Sequence, residues 1–436
     1  MSVINYLASN IFKQPSIFLG LVAAIGLILQ GERPANVLKG TFKTIFGVII
    51  LFIGVNLLGG AVTPLSSAFA TLYQIPAANA FDPSVCWTLL GDYGSQIGIV
   101  LVLSFAINLL VARFTPIKNI FLTGHIFFWM SYLFVGVAVN LGLTGTAIII
   151  FATFWLSLYI VITPALIKPA VARITGSDAF TIGHTASMFC LLGTAIGKVI
   201  GNKEKSTENL NIPKQFDFLR ETTITTALIM FIIYLVVGLI IGSENATAIY
   251  GASAGSIYTI GGAQYDLFSF SLMAGLTFGA GLTILLTGVR LMLGEIIPAF
   301  KGISDKLIPN AIPALDIPMI FPYAPNALMI GFIVSMITSI LTIIIMASTG
   351  TLAYAVIPLV IACFFDIAPA AVFANHEGGV TAAVITSALG GIIMVGLLIL
   401  SLAMFKTTTA GFLQLYGGNG FSLWSIIAQF FGSLIF

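Results

Sequence analysis

Long apolar runs separated by short polar connectors dominate this chain. A transmembrane helix needs about 20 mostly apolar residues, and runs that meet or approach this length fall near 15–31, 45–61, 97–112, 120–142, 146–167, 222–242, 268–289, 327–347, 350–364 and 380–404, with a weaker one at 420–436. Four further stretches, 62–91, 178–198, 307–326 and 366–379, are apolar without being clean spans. Pro76, Pro83, Pro309, Pro313, Pro318 and Pro369 fall in them. Proline removes a backbone donor and clashes with the preceding turn, so these stretches are predicted to be broken or half-length helices. Non-helical backbone at membrane depth is tolerated only where protein or water surrounds it, and carriers build their binding sites from such segments.

Composition narrows the class. Charged residues make up 7% of the 436, against 58% hydrophobic, whereas soluble domains carry about 25% charge. A fold this poor in charge cannot cover a water-facing surface; the chain is a polytopic, all-α membrane protein. A net charge of +2 with dispersed Lys and Arg leaves no footprint for nucleic acid. Cys86, Cys190 and Cys363 lie far apart, so neither a disulfide framework nor a metal cluster is expected. The first fifteen residues lack a basic region and a small-residue cleavage site, and no removable signal peptide is read there.

Basic residues set the orientation. Lys and Arg cluster in the connectors at Arg33–Lys43, Arg113–Lys118, Lys168–Arg173, Lys198–Arg220 and Arg290–Lys306, whereas 62–96 and 243–267 hold none. The first set is expected to face the cytoplasm, the other two connectors outward. The run from Lys198 to Glu221 reads as a solvated loop or as a docking surface for a soluble partner.

A repeat is written into the chain. Gly47–Pro64, GVIILFIGVNLLGGAVTP, aligns without gaps to Gly281–Pro298, GLTILLTGVRLMLGEIIP, with eight of eighteen positions identical. Beyond it, Ile75-Pro76 with Asp82 echoes Ile308-Pro309 with Asp316, and Thr123-Gly124-His125 echoes Ala374-Asn375-His376. The first copy leaves a basic connector and the second runs into one. Repeats of opposite direction are the pattern of alternating-access carriers, with the site between the copies near mid-membrane. The repeats are placed at about 15–200 and 222–405 of a single permease-type unit, 1–436, joined by a cytoplasmic loop, 199–221.

All three histidines, His125, His184 and His376, lie in or beside apolar segments, where an ionisable side chain is a functional candidate by default; the alternative is a helix-to-helix hydrogen bond to a carbonyl. Asp316, among prolines, is suited to accept paired hydrogen bonds from vicinal hydroxyls or to cap a half-helix. Asp82, before Pro83, holds the equivalent place in the first repeat. Glu377 reads equally as a substrate ligand or as a cap for a helix starting at Val380. No phosphate-cradling GxxxxGK[ST] loop exists, so transport energy must come from an ion gradient or a separate phosphoryl donor.

These motifs resemble the membrane permease component, enzyme IIC, of the ascorbate-type phosphoenolpyruvate-dependent sugar phosphotransferase system, over almost the whole chain. The resemblance is carried by Leu122-Thr123-Gly124-His125-Ile126, Ile182-Gly183-His184, Gly288-Val289-Arg290, Ala299-Phe300 with Gly302-Ile303-Ser304, Leu307-Ile308-Pro309, Ala324-Pro325-Asn326-Ala327, and Phe373-Ala374-Asn375-His376 with Gly378-Gly379. It implies a multi-pass protein of the bacterial plasma membrane with about eleven transmembrane helices, inverted repeats and re-entrant half-helices. It further implies a homodimer that moves a sugar-like solute by an elevator mechanism. A soluble phosphocysteine protein, IIB, charged through IIA, would phosphorylate the solute on the cytoplasmic side, so the chain itself is a transport component with no catalytic residue, no metal and no cofactor. The resemblance places the substrate site at His125, His184 and Asp316, with the broken helix after Gly54 and the region of Asp82 and Pro83.

Three positions depart from the family pattern. Trp129 stands where the family has Gln, Thr185 likewise, and Val55 replaces a small hydroxyl residue beside Gly54. A site built for hydroxyls discriminates through its polar groups, and an indole offers an apolar face to a sugar. The substrate is therefore left open between ascorbate and a related solute. A proton- or sodium-coupled secondary carrier on the same scaffold is the other reading, followed by a channel or a silent structural component.

Overall fold

The computed structural model describes all residues except 1–13, 73–84, 211–217, 219–220, 254–256, 258–264, 307, 353, 355 and 357–358. Asp82 and Pro83 lie outside the described residues, as does the side chain of Val55. In chain order the helices are α1 (Pro15–Leu29), α2 (Pro34–Leu72), α3 (Val85–Phe114), α4 (Gly124–Asn140), α5 (Thr146–Thr175), α6 (Ser187–Val199), α7 (Thr222–Ile241), α8 (Ser243–Ser253), α9 (Leu267–Lys306), α10 (Pro325–Ser348), α11 (Ala368–Met404), α12 (Ala410–Tyr416) and α13 (Gly420–Gly432). Among the described residues, seven helices are long and apolar enough to cross a membrane, and four shorter apolar ones accompany them.

Helices α2 and α9 carry the two copies of the repeat, and they pack against each other antiparallel through its glycines. A Cβ on Gly47 would lie 2.9 Å from the carbonyl oxygen of Gly288, and one on Gly288 would lie 2.5 Å from that of Gly47. The same reciprocity holds for Gly54 and Gly281, at 2.7 and 3.3 Å. Exchanging each glycine for its repeat equivalent maps this contact onto itself, as across a two-fold axis. Lipid offers helices no hydrophobic reason to associate, so small residues that let backbones touch supply the packing energy. Lys43 and Glu295 close one end of the seam with a 2.7 Å ion pair. At its start α9 is capped by Asp266, whose carboxylate accepts the Ser269 N–H at 2.7 Å; that bond holds its pKa below the usual range.

Several expected breaks are absent. Helix α2 continues through Pro64 to Leu72, and α9 continues through its counterpart, Pro298. A membrane helix tolerates an internal proline where the surrounding protein supports it; beside this one, Gln30 at the end of α1 donates to the Pro298 carbonyl at 2.7 Å. Pro369 sits in the first turn of α11, where its missing N–H costs nothing. The expected span at 350–364 is not a helix along its length: helical structure begins only at Val360, and Cys363–Ile367 is a π-helical turn leading into α11. The stretches 178–198 and 307–326 do hold short elements, α6 and a 3₁₀ segment at Ile317–Tyr323.

One element has no counterpart in the expectation of an all-α fold. Strands β1 (Asn119–Phe121), β2 (Thr181–Ile182) and β3 (Ile312–Leu315) form a small parallel sheet in the order β1-β3-β2. Runs of two to four residues show no readable period, and only chain crossing brings them together. The outer edge of β1 is closed by Asn108, whose amide donates to the Asn119 carbonyl at 3.1 Å and whose oxygen accepts the Phe121 N–H at 2.9 Å. Such closure is what a strand edge needs inside an apolar fold.

Candidate functional site

The sheet delivers the site. All three strands run parallel, so their C-terminal ends emerge together, the place where parallel sheets hold ligands. Thr123-Gly124-His125 follows β1, Gly183-His184 follows β2 and Asp316 follows β3 directly. The Asp316 carboxylate also accepts the Ile317 N–H at 2.8 Å, capping the 3₁₀ segment. The capping role foreseen for it is therefore present in the structure.

His125 Nδ1 lies 3.9 Å from Asp316 Oδ2, and His184 Nε2 lies 3.8 Å from Asp316 Oδ1. These gaps are too wide for direct hydrogen bonds, and His125 Nδ1 is buried without a protein partner. A hydroxyl placed between either pair can reach both groups. The ring of His184 is fixed by the backbone: the Ala186 N–H donates to Nδ1 at 3.1 Å. The proton of the neutral ring is therefore on Nε2, facing Asp316.

His125, His184 and Asp316 present ligand atoms within 4.8 Å of one another. A metal would need the lone pair of His184 Nε2, which the Ala186 contact assigns to the proton. The donor set is matched to hydroxyl groups and not to a divalent cation.

These residues open into a cavity that is partly open to solvent. Trp129 and Thr185 also line it. One face of the Trp129 indole is stacked on Phe412, with ring centroids 4.6 Å apart. The opposite wall is apolar: Leu51, Phe52 and Leu58 from α2 and Leu285 from α9. Gly54 is not part of that wall. It is taken up in the seam with α9, and the helix does not break after it.

Two lining residues carry no mark in the sequence reading. Asp366, 1% exposed, accepts the Thr185 hydroxyl proton at 2.5 Å and the Asn419 amide at 2.8 Å. A lone carboxylate in the apolar stretch CFFDIAP is itself an intramembrane flag, and that signal was sufficient to find it. Asn419 lies in a Gly-rich connector and has no comparable signal.

His376 is not brought to this cavity. It is exposed, beside a separate shallow pocket with Lys203, Ser206, Glu208, Tyr323 and Asn375. Its neighbour Glu377 pairs with Arg173 at 2.7 Å. The surrounding motifs clasp the connector after α6. Asn375 Oδ1 accepts the Thr207 N–H at 2.8 Å, the Asn326 amide donates to the Thr207 carbonyl at 3.1 Å, and the Asn202 N–H donates to Gly378 O at 2.9 Å. Gly379, at φ +68°, leaves helical geometry so that the Val380 N–H can reach Lys205 O at 2.8 Å. Glu208 caps α10 by accepting the Ala327 N–H at 3.0 Å. Glu208→Ala is therefore expected to lower stability by about 0.5–2 kcal/mol and to speed proteolysis between residues 199 and 210, read by limited digestion of the purified protein.

A sequence model of the sugar-specific permease component of the phosphotransferase system, EIIC-GAT, matches residues 10–419. The chain belongs to this family. Among relatives, the ascorbate-specific EIIC component of Mycoplasma pneumoniae is 26% identical over 446 residues, covering 92% of this chain. The chain spans 66% of the length of that protein. Family membership and the apolar helices make this a multi-pass membrane protein. Within this permease, the motifs Ala324–Ala327 and Phe373–Gly379 hold a connector, while the motifs at His125 and His184 open into the cavity.

Proposed function

We propose that this permease binds a sugar-like solute, ascorbate or a relative of it, and carries it across the bacterial plasma membrane for phosphorylation by a separate IIB protein. The observation that carries the reading is the convergence of His125, His184 and Asp316 at the ends of three parallel strands, in one cavity. The Mycoplasma relative named for ascorbate points to the same substrate class.

An elevator movement fits the two walls. Every polar group at the site comes from the sheet and the segments packed on it, whereas α2 and α9 contribute only Leu and Phe side chains. A smooth apolar wall lets the loaded half slide past without breaking hydrogen bonds. In this scheme each inverted repeat, about 15–200 and 222–405, contributes both to the moving part and to the apolar wall, and the working unit is a homodimer. IIB, carrying a phosphocysteine supplied through IIA, meets the solute at the cytoplasmic side. The added phosphate carries about −1.5 to −2 charge, and a cavity with two carboxylates repels it, so the product does not return.

Uptake of labelled solute in cells lacking the general phosphotransferase proteins tests the coupling. Uptake is expected to fall to background there, and His125→Ala is expected to abolish it in otherwise competent cells. Uptake that persists without those proteins and stops when the proton gradient is collapsed establishes an ion-coupled carrier instead.

A further inference from the structure

Solute binding as assigned so far uses one carboxylate, yet the cavity holds two. Asp366 sits on the π-helical turn Cys363–Ile367, an irregularity that is rare in helices and concentrates at functional sites. Its Oδ1 accepts the Thr185 hydroxyl at 2.5 Å and its Oδ2 accepts the Asn419 amide at 2.8 Å. Both oxygens act as acceptors, and each keeps a lone pair for another donor. The two acids flank one imidazole. Asp316 Oδ1 lies 3.8 Å from His184 Nε2, and Asp366 Oδ1 lies 3.8 Å from His184 Nδ1.

Among the described residues that line the cavity, no lysine or arginine side chain stands ready to meet a negatively charged guest. The single proton of the Thr185 hydroxyl is committed to Asp366. The Asn419 amide also donates to Asp366, and its oxygen accepts the Phe421 N–H at 3.0 Å. The lining donors include the ring N–H groups of His125, His184 and Trp129, and among the described residues no lysine or arginine offsets the two carboxyl groups.

We propose that Asp366 is a second solute-selecting carboxylate, and that Asp316 and Asp366 together tune this site to an uncharged polyhydroxylated solute, an alditol or sugar, in preference to the ascorbate anion. This inference rests on the permease reading above and narrows its substrate. Hydroxyl groups donate to carboxylates, and such charge-assisted bonds are among the stronger ones. An enolate anion meets those carboxylates with lone pairs instead of protons. Its charge is then opposed at short range where little water screens it, and its lost hydration finds no replacement.

Binding to the full-length protein in lipid nanodiscs at neutral pH, measured calorimetrically, decides the matter. The probes are a panel of uncharged pentitols, hexitols and hexoses, with ascorbate kept reduced under anaerobic conditions. At least one uncharged member is expected to bind tenfold or more tightly than ascorbate. Asp366→Asn is expected to narrow that gap at least tenfold. Equal or tighter binding of ascorbate by the wild type overturns the inference whatever the variant does, and so does an Asp366→Asn protein whose preference is unchanged. If ascorbate wins and His125→Ala abolishes its binding, the permease reading stands and only the charge selection falls. If no member of the panel and no ascorbate binds, both fall together.

Discussion

Asp316→Asn is expected to weaken solute binding about a hundredfold while leaving the fold in place. The carboxylate follows β3 directly and stands 3.8–3.9 Å from both imidazoles, so it is the shared acceptor for hydroxyls held against His125 and His184. A hydrogen bond to a charged group contributes about 1.5–3 kcal/mol. Weakening two of them removes roughly 3 kcal/mol, which is a factor of about 10² at 1.4 kcal/mol per tenfold. The substituted amide keeps an oxygen for the Ile317 N–H, now bonded at 2.8 Å, so the 3₁₀ segment retains its cap. Titration in nanodiscs gives the affinity and thermal unfolding of the same sample gives the stability. Wild-type affinity in a well-folded variant would remove Asp316 from the site.

A comparable loss is expected far from any polar group. At Gly54 a methyl group would be driven into the Leu285 backbone nitrogen and to 2.7 Å from the Gly281 carbonyl; at Gly288 it would press on the Leu51 nitrogen. Backbone cannot yield as a flexible side chain does, so Gly54→Ala and Gly288→Ala each cost at least the ~1–3 kcal/mol of an overpacked core. Because Leu51 and Leu285 also face the cavity, prising the two helices apart displaces its apolar wall. Both variants are expected to lose thermal stability and transport together. Gly294 provides the internal control: it belongs to the same repeat motif, but nothing lies within 4 Å of a Cβ built there. Gly294→Ala should be neutral or slightly stabilising, since alanine is the better helix former. If all three variants behave alike, the glycine seam is not what holds α2 to α9.

Legibility differed from feature to feature, and the reason is physical each time. His125, His184 and Asp316 were readable because an ionisable group in an apolar run has few innocent explanations, and Asp366 met the same criterion. His376 met it too, yet lies exposed beside the clasped connector. Local sequence reports that a residue is unusual, not which surface its helix turns inward. The stretch from residue 62 likewise reads as broken, yet α2 runs on through Pro64 to Leu72, because the packing that holds a helix straight comes from elements remote in sequence, here α9.

The sequence by itself determined the solvent of this protein, most of its long apolar helices and its repeated glycine motif. Those follow from how many apolar residues occur in a row and from identity between distant stretches, and both are properties of a string. Only the tertiary structure decided that three strands of two to four residues lie side by side with their ends together. It also decided that Gly54 serves the helix seam and Leu58 the cavity, and that Asp366 faces Asp316 across one imidazole. Each of those depends on segments separated by tens to hundreds of residues meeting in space, and no local period records such a meeting.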